Sequence, residues 1–459
     1  MNLPDLGSTA GNVLPPRIAN KVGTAFVRQA RSQMKFINDP LLLNYLNTLG
    51  NKLVKAAVPG TAFENQKFQF HLIENPVSNA FAVPGGQIFI HTGLVFDSKT
   101  EAELAGILAH EIAHITENHS ARGIENSKYD GAIALASILL AAASGSSEAA
   151  QAAITLSQGG LIQRRLNFSR GFEREADNLA VITMNKAGYD PLALVSFLRT
   201  IDRKQNFAGS SPPAFLLTHP LTDERIVETE SRARSYPAHP QESSADFNNF
   251  KATIIAKHHS SPAKVASFYR LNRNALQKSS NHFEYGLALT KLKKFKEARQ
   301  QLDLALQGSP NNLNYLIAQN ELDIAQKKHS AAILRFEQLK KDRPNDYNKV
   351  ELYHAYTLIT AKTNELAIPI LNNAIRRSPK DPDARILLAR AYGELGQLYN
   401  SYKARATHHY LLGNYGFAIK QLDNAAPLAP NEYEKKNLRT TKAKYLEEKR
   451  ETERALKKL

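Results

Sequence analysis

The chain of 459 residues contains no cysteine, which removes both a disulfide framework and thiolate ligands from consideration. Any metal site must then be built from His, Asp or Glu. Compartment does not follow, because reducing and oxidising environments both accommodate cysteine-free proteins. Long apolar runs are also missing, and no stretch reaches the roughly 18 residues that a spanning helix requires. The nearest, Gly131 to Ala143, is short, Ala-rich and followed by SGSSE, and it reads as a buried or loosely packed helix. The N-terminal MNLPDLGSTAGNVLPP has neither a basic region nor an apolar core, so it does not read as a signal peptide. A cytosolic chain and an exported chain whose signal has been removed both fit that observation. A concentrated nucleic-acid footprint is absent too. The net charge is +16, but Lys and Arg read as spread along the chain among acids, with no aromatic-basic patch or reader motif, so no nucleic-acid partner is expected. The charge leaves peripheral association with an anionic membrane open.

What the chain does contain is HEIAH, inside TEAELAGILAHEIAHITENHS. His110 and His114 are four residues apart, so on a helix both rings project from one face and offer nitrogens to a single metal ion. Glu111 lies beside them, where a carboxylate takes a proton from a water at the metal without occupying it. Leu104, Ile107, Leu108, Ile112 and Ile115 give the same helix an apolar stripe, which packs it into a core with its ligands at a cleft.

Upstream, helices are expected from Asn20 to Ala57, with Asp39-Pro40 as a helix start. Phe68 to Ile73 alternates as a strand does. Further extended chain follows in Ala80, Phe81, Ala82 and Val83, then, after Pro84-Gly85-Gly86, in Gln87, Ile88, Phe89 and Ile90. Pro cannot donate to a central ladder and paired Gly permits a sharp turn, so this stretch is expected to form a sheet edge. Along such an edge an extended peptide substrate is held by backbone hydrogen bonds.

Downstream, Ser127 to Gly160 is rich in Ala, Gly, Ser and Gln and is expected to be a mobile cover near the cleft. SRGFEREAD then opens a helix that runs to Gly188. Glu173 and Asp177 share a face of it. Glu173 supplies the third ligand that two His leave open, and Asp177 accepts the outward N–H of a ligand His. Glu175, two residues on, reads as a surface or packing acid pointing elsewhere. In THPLTDERI, His219 precedes a helix capped by Thr222 or Asp223. Two tasks suit it: steadying the oxyanion of a tetrahedral intermediate, or lying on the metal in a resting state. Arg225 either stabilises the same developing charge or ties the loop to a carboxylate.

From Tyr236 to Pro262 the composition turns polar, with Pro and Ser, and the domain boundary is expected there. Beyond it the sequence repeats, with Pro310, Pro344 and Pro379 spaced 34 and 35 residues apart and Pro430 closing a later unit. That register aligns Ala298, Ala332, Ala367 and Ala418 at one position, and Ala305, Leu339, Ala374 and Ala425 at another. This is the tetratricopeptide pattern of helix-turn-helix units, in which small residues let helices approach closely. An additional helix from Asp383 to Leu395 accounts for the longer interval before Pro430.

The motifs NAFAVPGGQIFIHTGL, HEIAH, SRGFEREAD and THPLTDERI, in that order, resemble the M48 zinc metallopeptidases. With the repeats behind them, the resemblance covers nearly the whole chain. It implies one zinc ion per chain, with His110, His114 and Glu173 as ligands, Glu111 as base and Asp177 as the supporting carboxylate. His219 and Arg225 stand at the family's downstream His-Pro and Arg positions. It also implies a periplasmic home in a Gram-negative bacterium, which favours the removed-signal reading. Stalled or misfolded outer-membrane proteins are the implied substrates, and the β-barrel assembly machinery the implied partner of the repeats. The expected fold class is mostly α. An α+β zincin-type metalloprotease domain with a small sheet (residues 1–245) is followed by a linker (246–262), an α-helical tetratricopeptide superhelix (263–433) and a charged terminal helix (434–459).

Overall fold

The structure is a computed structural model that describes residues 15–61, 63–125, 159–207, 215–216, 219–239, 242–259 and 261–457. The expected cover from Ser127 to Gly160 lies outside those residues except for its last two, as does the Ala-rich run within it. Two compact units divide between Ile254 and Ile255, with the short segment Asn38–Leu41 grouped with the second and the chain from Ala455 grouped with the first.

The first unit contains α1 (Pro16–Gln33), β1 (Phe36–Ile37), α2 (Pro40–Ala57), β2 (Gln69–Ile73), β3 (Ala80–Val83), β4 (Gln87–His91), α3 (Thr92–Asp97) and α4 (Glu101–Thr116). After these come α5 (His119–Glu125), α6 (Gly159–Lys186), α7 (Leu192–Phe207), α8 (Asp223–Ala233) and α9 (Ala245–Ile254). The sheet order is β1-β2-β4-β3; β2 and β4 run parallel, and the outer pairs are antiparallel. Alternation along the strands divides the side chains between two layers. Phe81, Val83 and Phe89 meet Phe26 and Ala30 of α1 on one face. Ala80, Ile88 and Ile90 join the main core with Leu104, Ile107, Leu108 and Ile112 of α4. The metal-motif helix is therefore backed by the sheet along its apolar stripe.

Local signals fix the ends of these elements. Asp39 Oδ1 accepts from Leu41 N at 3.0 Å, as the Asp-Pro start of α2 requires. Thr100 caps α4 by accepting from Glu103 N at 3.2 Å, while Glu103 reaches back to Lys99 N at 2.6 Å. Thr222, not Asp223, caps α8. Gly85 and Gly86 adopt φ of 83° and 77° in the β3–β4 turn, and a Cβ on Gly85 would lie 2.6 Å from Ala19 O of α1.

Three expectations need correction. Of this stretch only β3 is an edge: β4 is paired with β2 on one side and β3 on the other, so Gln87, Ile88, Phe89 and Ile90 have no free backbone edge for a substrate. The stretch 246–262 is not a polar linker. Phe247, Phe250 and Ile254 sit on one face of α9 and are buried in the first unit's core, with the Phe250 ring 4.6 Å from that of Tyr45. Helical spacing overrides the polar composition there. The charge is not evenly spread either. Residues 1–254 carry 23 basic and 23 acidic side chains, whereas residues 255–459 carry 36 and 20, so the whole excess lies in the second part.

The second unit continues from a π-helical turn (Ile255–His259) through α10 (Pro262–Leu271), α11 (Ser279–Lys291), α12 (Phe295–Gly308), α13 (Leu313–Ala325), α14 (His329–Asp342), α15 (Pro344–Thr360) and α16 (Asn364–Arg377). It ends with α17 (Pro382–Glu394), α18 (Leu398–Leu411), α19 (Tyr415–Ala425) and α20 (Glu432–Lys457). The aligned positions Ala298, Ala332, Ala367 and Ala418 are all fully buried. A Cβ on Gly286 of α11 would lie 2.5 Å from Leu302 Cδ2 of α12, the close approach that small residues allow. The helix expected from Asp383 to Leu395 is α17. Among the described residues, no helix is long and apolar enough to cross a membrane.

Candidate metal centre

Two helices and one loop bring the centre together. α4 offers His110 and His114, α6 offers Glu173 and Asp177, and the segment before α8 offers His219. His110 Nε2 lies 3.0 Å from His114 Nε2, 3.3 Å from His219 Nδ1 and 3.3 Å from Glu173 Oε2. His114 Nε2 is 3.4 Å from Glu173 Oε1, and His219 Nδ1 is 3.1 Å from both oxygens of Glu173. Four atoms at tetrahedral corners with metal bonds of about 2.0–2.1 Å stand roughly 3.3–3.4 Å from one another. The observed spacings match, so His110, His114, Glu173 and His219 could hold one metal ion between them.

The electrostatics point the same way. Glu111, Glu173 and Asp177 are buried, and among the described residues the Arg225 guanidinium is the one fixed cation in contact with them. A divalent cation held there would offset the excess. Burial by itself disfavours a charged His110, but Asp177 and Glu173 overcome it and raise its pKa to about 10, so a metal bound there would displace a proton from the ring. Burial lowers His114 despite Glu173, favouring the neutral ring that a ligand requires. Burial also opposes ionisation of Glu173, yet His219 and Arg225 hold its carboxyl well below the usual range.

Each neighbour has a defined task. His110 Nδ1 faces Asp177 Oδ1 at 2.9 Å, which leaves Nε2 directed at the centre. Arg225 donates to Asp177 through Nε at 2.5 Å and Nη2 at 3.0 Å, while its Nη1 is 2.9 Å from Pro220 O and 2.9 Å from Glu173 Oε2. With its donors committed in this way, Arg225 ties the His219 loop to α6, and the oxyanion role left open for it finds no support. Among the described residues both Glu111 oxygens are buried without a hydrogen-bond partner, and Oε1 lies 3.3 Å from His219 Nε2. The His219 ring stacks on Phe215, with centroids 4.6 Å apart.

Sequence reasoning missed a second set of supports. His119 Nδ1 lies 2.8 Å from His114 Nδ1, and His119 Nε2 lies 3.0 Å from Glu175 Oε2. Arg122 Nη1 donates to the same oxygen at 2.8 Å. Glu175 is thus turned toward the centre's surroundings, and the reading of it as an acid pointing elsewhere is corrected. The available signal was Asn118, whose φ of 53° ends α4 and begins α5, folding His119 back beside His114. Asn tolerates this left-handed conformation better than most residues.

Comparison with known proteins adds to this geometry. The sequence pattern of peptidase family M48 matches residues 44–233. A β-barrel assembly-enhancing protease of Yersinia pestis is 32% identical over 431 residues, covering 92% of this chain and 87% of that protein. The protein of the same name from Escherichia coli (strain K12) is 33% identical over 431 residues with the same coverage. The mitochondrial metalloendopeptidase OMA1 of Schizosaccharomyces pombe is 32% identical over 180 residues, 39% of this chain and 51% of that protein.

Proposed function

Since the chain belongs to peptidase family M48 and is a metalloendopeptidase, we propose that it is a zinc enzyme of the bacterial periplasm acting in the assembly and quality control of outer-membrane β-barrel proteins. The observation that carries the zinc reading is the convergence of three imidazoles and a carboxylate, with His110 and Glu173 each 3.0–3.4 Å from the other ligand nitrogens, beside the buried Glu111. The names and coverage of its relatives support the cellular role. In this reading the repeat unit recruits the substrate or the assembly machinery.

His110, His114 and Glu173 would hold the zinc ion, which when bound would supply Lewis-acid polarisation of a scissile carbonyl and a water of pKa lowered toward about 7. The protein's own residues do the rest. Glu111 takes the proton of the attacking water and delivers it to the leaving amine. Asp177 holds His110 with Nε2 toward the centre, and Arg225 keeps Asp177 and Glu173 ionised and in place. The outer edge of β3 receives an extended chain, with Ala80 and Ala82 on the side that packs with α4. Only an unfolded or stalled polypeptide can offer such a strand.

His219 makes a latent state part of the same proposal. Its Nδ1 lies 3.3 Å from His110 Nε2 and 3.1 Å from Glu173 Oε1, where it would take the place that a catalytic zinc site leaves for water. Hydrolysis then requires the ring to withdraw. The test of the mechanism is Glu111→Gln, which is expected to retain zinc while losing cleavage of an unfolded β-barrel substrate. Undiminished cleavage by that variant overturns it.

A further inference from the structure

The repeat unit carries the chain's whole positive excess, and part of it is concentrated along one edge. Each repeat helix returns on the next through a short turn, so alternate turns emerge on the same side of the array. The turns α11–α12, α13–α14 and α15–α16 share such an edge. Their segments 291–297, 326–329 and 361–365 contain seven lysines and two glutamates. Lys293, Lys296, Lys327 and Lys328 are exposed and form no ion pair among the described residues, whereas Lys362 meets Glu394 at 3.0 Å. Leu292, Leu366 and Leu398 are exposed on the same edge.

The backbone adds an independent observation. Lys293, Lys327 and Lys362 occupy left-handed positions with φ of 59°, 61° and 64°, where the α17–α18 turn carries Gly396. Glycine adopts that conformation without steric penalty, so a lysine there forgoes stability. The property lysine supplies in exchange is a cation at the tip of each turn.

We propose that this edge docks the protein on an anionic membrane surface, with lysines on lipid phosphates and the exposed leucines at the headgroup boundary. The exposed apolar side chains favour a bilayer over an acidic polypeptide, which offers charge without an apolar layer. Clustered lysines near an anionic leaflet contribute additively, each strengthening binding about fivefold.

The full chain is tested by co-sedimentation with phosphatidylcholine vesicles with and without phosphatidylglycerol, and against soluble polyglutamate. Binding to the anionic vesicles alone, released by salt, is expected. Lys293→Gly with Lys327→Gly removes two cations while relieving the backbone, so binding should fall tenfold or more at an unchanged or higher melting temperature. Lys293→Gln with Lys327→Gln is the second variant, with the same expected loss. Equal vesicle binding by these variants, or capture by polyglutamate without vesicle binding, overturns the proposal.

A separate observation carries a second inference, which rests on His114 being a metal ligand. A ring nitrogen that binds metal has no proton, so with Nε2 at the centre the His114 proton resides on Nδ1. That proton is donated to His119 Nδ1, 2.8 Å away, which leaves the His119 proton on Nε2 to be donated to Glu175 at 3.0 Å. Arg122 completes the chain by donating to the same carboxylate oxygen. The geometry points to His119 and Glu175 as positioning residues that fix the tautomer of His114, the counterpart of Asp177 beside His110.

The readout is zinc affinity by chelator competition. His119→Leu is expected to weaken zinc binding 10- to 100-fold. His119→Asn should recover much of the loss, because its Oδ1 accepts where Nδ1 did. Glu175→Gln, at a half-exposed position, should weaken binding less. If the unmodified chain binds no zinc, the metal reading itself fails. If it binds zinc and neither His119→Leu nor Glu175→Gln changes the affinity more than twofold, the relay alone is wrong.

Discussion

The His219 ring stands between Glu111 and Glu173: its Nε2 lies 3.3 Å from Glu111 Oε1 while its Nδ1 lies 3.1 Å from both Glu173 oxygens. One imidazole thus touches both the expected base and the expected third ligand. If this is the resting arrangement, His219→Ala removes the group that competes with water, and kcat/KM on an unfolded substrate is expected to rise severalfold. A role in stabilising the oxyanion instead requires a fall of about 100-fold or more. Steady-state cleavage of an unfolded β-barrel by the two proteins separates these outcomes.

Removing Arg225 leaves Asp177 and Glu173 buried with their main counterion gone. We expect Arg225→Ala to destabilise the protein by about 3–5 kcal/mol and Arg225→Lys by a smaller amount, since a lysine cannot reproduce the two-pronged contact with Asp177. Urea unfolding followed by circular dichroism measures the difference. A loss below about 1 kcal/mol for Arg225→Ala would show that the tether is dispensable.

Away from the centre, burial lowers His71 to about 4, against a partly opposing hydrogen bond with Gln87 and with a further lowering by Arg31. Burial also lowers His91 to about 4, with a backbone contact to Val77 opposing. Both rings are neutral in the folded protein near pH 5, where the unfolded chain has bound the protons. Their contribution is complete above an unfolded pKa of about 6.5 and is lost as pH falls toward 4. Each is expected to remove on the order of 1 kcal/mol of stability per pH unit across that window. In His71→Phe, urea midpoints between pH 7 and 4.5 should fall less steeply than in the parent; an unchanged slope would contradict the assignment.

α1 covers one face of the sheet through a close approach: a Cβ at Gly23 would collide with the Pro84 carbonyl oxygen. Gly23→Ala raises helix propensity by about 1 kcal/mol, but the backbone it meets belongs to the β3–β4 turn and cannot swing aside as a side chain does. Net destabilisation of about 1–3 kcal/mol is expected in thermal or urea unfolding. A stabilised variant would mean that α1 is free to move from the turn.

The sequence by itself determined whatever depends on near neighbours. Helical periodicity placed His110 with His114 and Glu173 with Asp177 on common faces, Asp39-Pro40 began a helix, and the proline register exposed the buried alanines of the repeats. Only the tertiary structure decided which groups meet across the chain. His219 joins His110 over 109 residues, and Glu175 joins His119 over 56. β4 became an interior strand because β2 pairs with it from before the hairpin, a choice made by layer packing and invisible in alternation alone. Residues 245–254 became core because Tyr45 and its neighbours offered an apolar face to Phe247 and Phe250. Side-chain period is a property of the local backbone, whereas the partner that fills a ligand position or covers a strand is set by where distant elements come to rest.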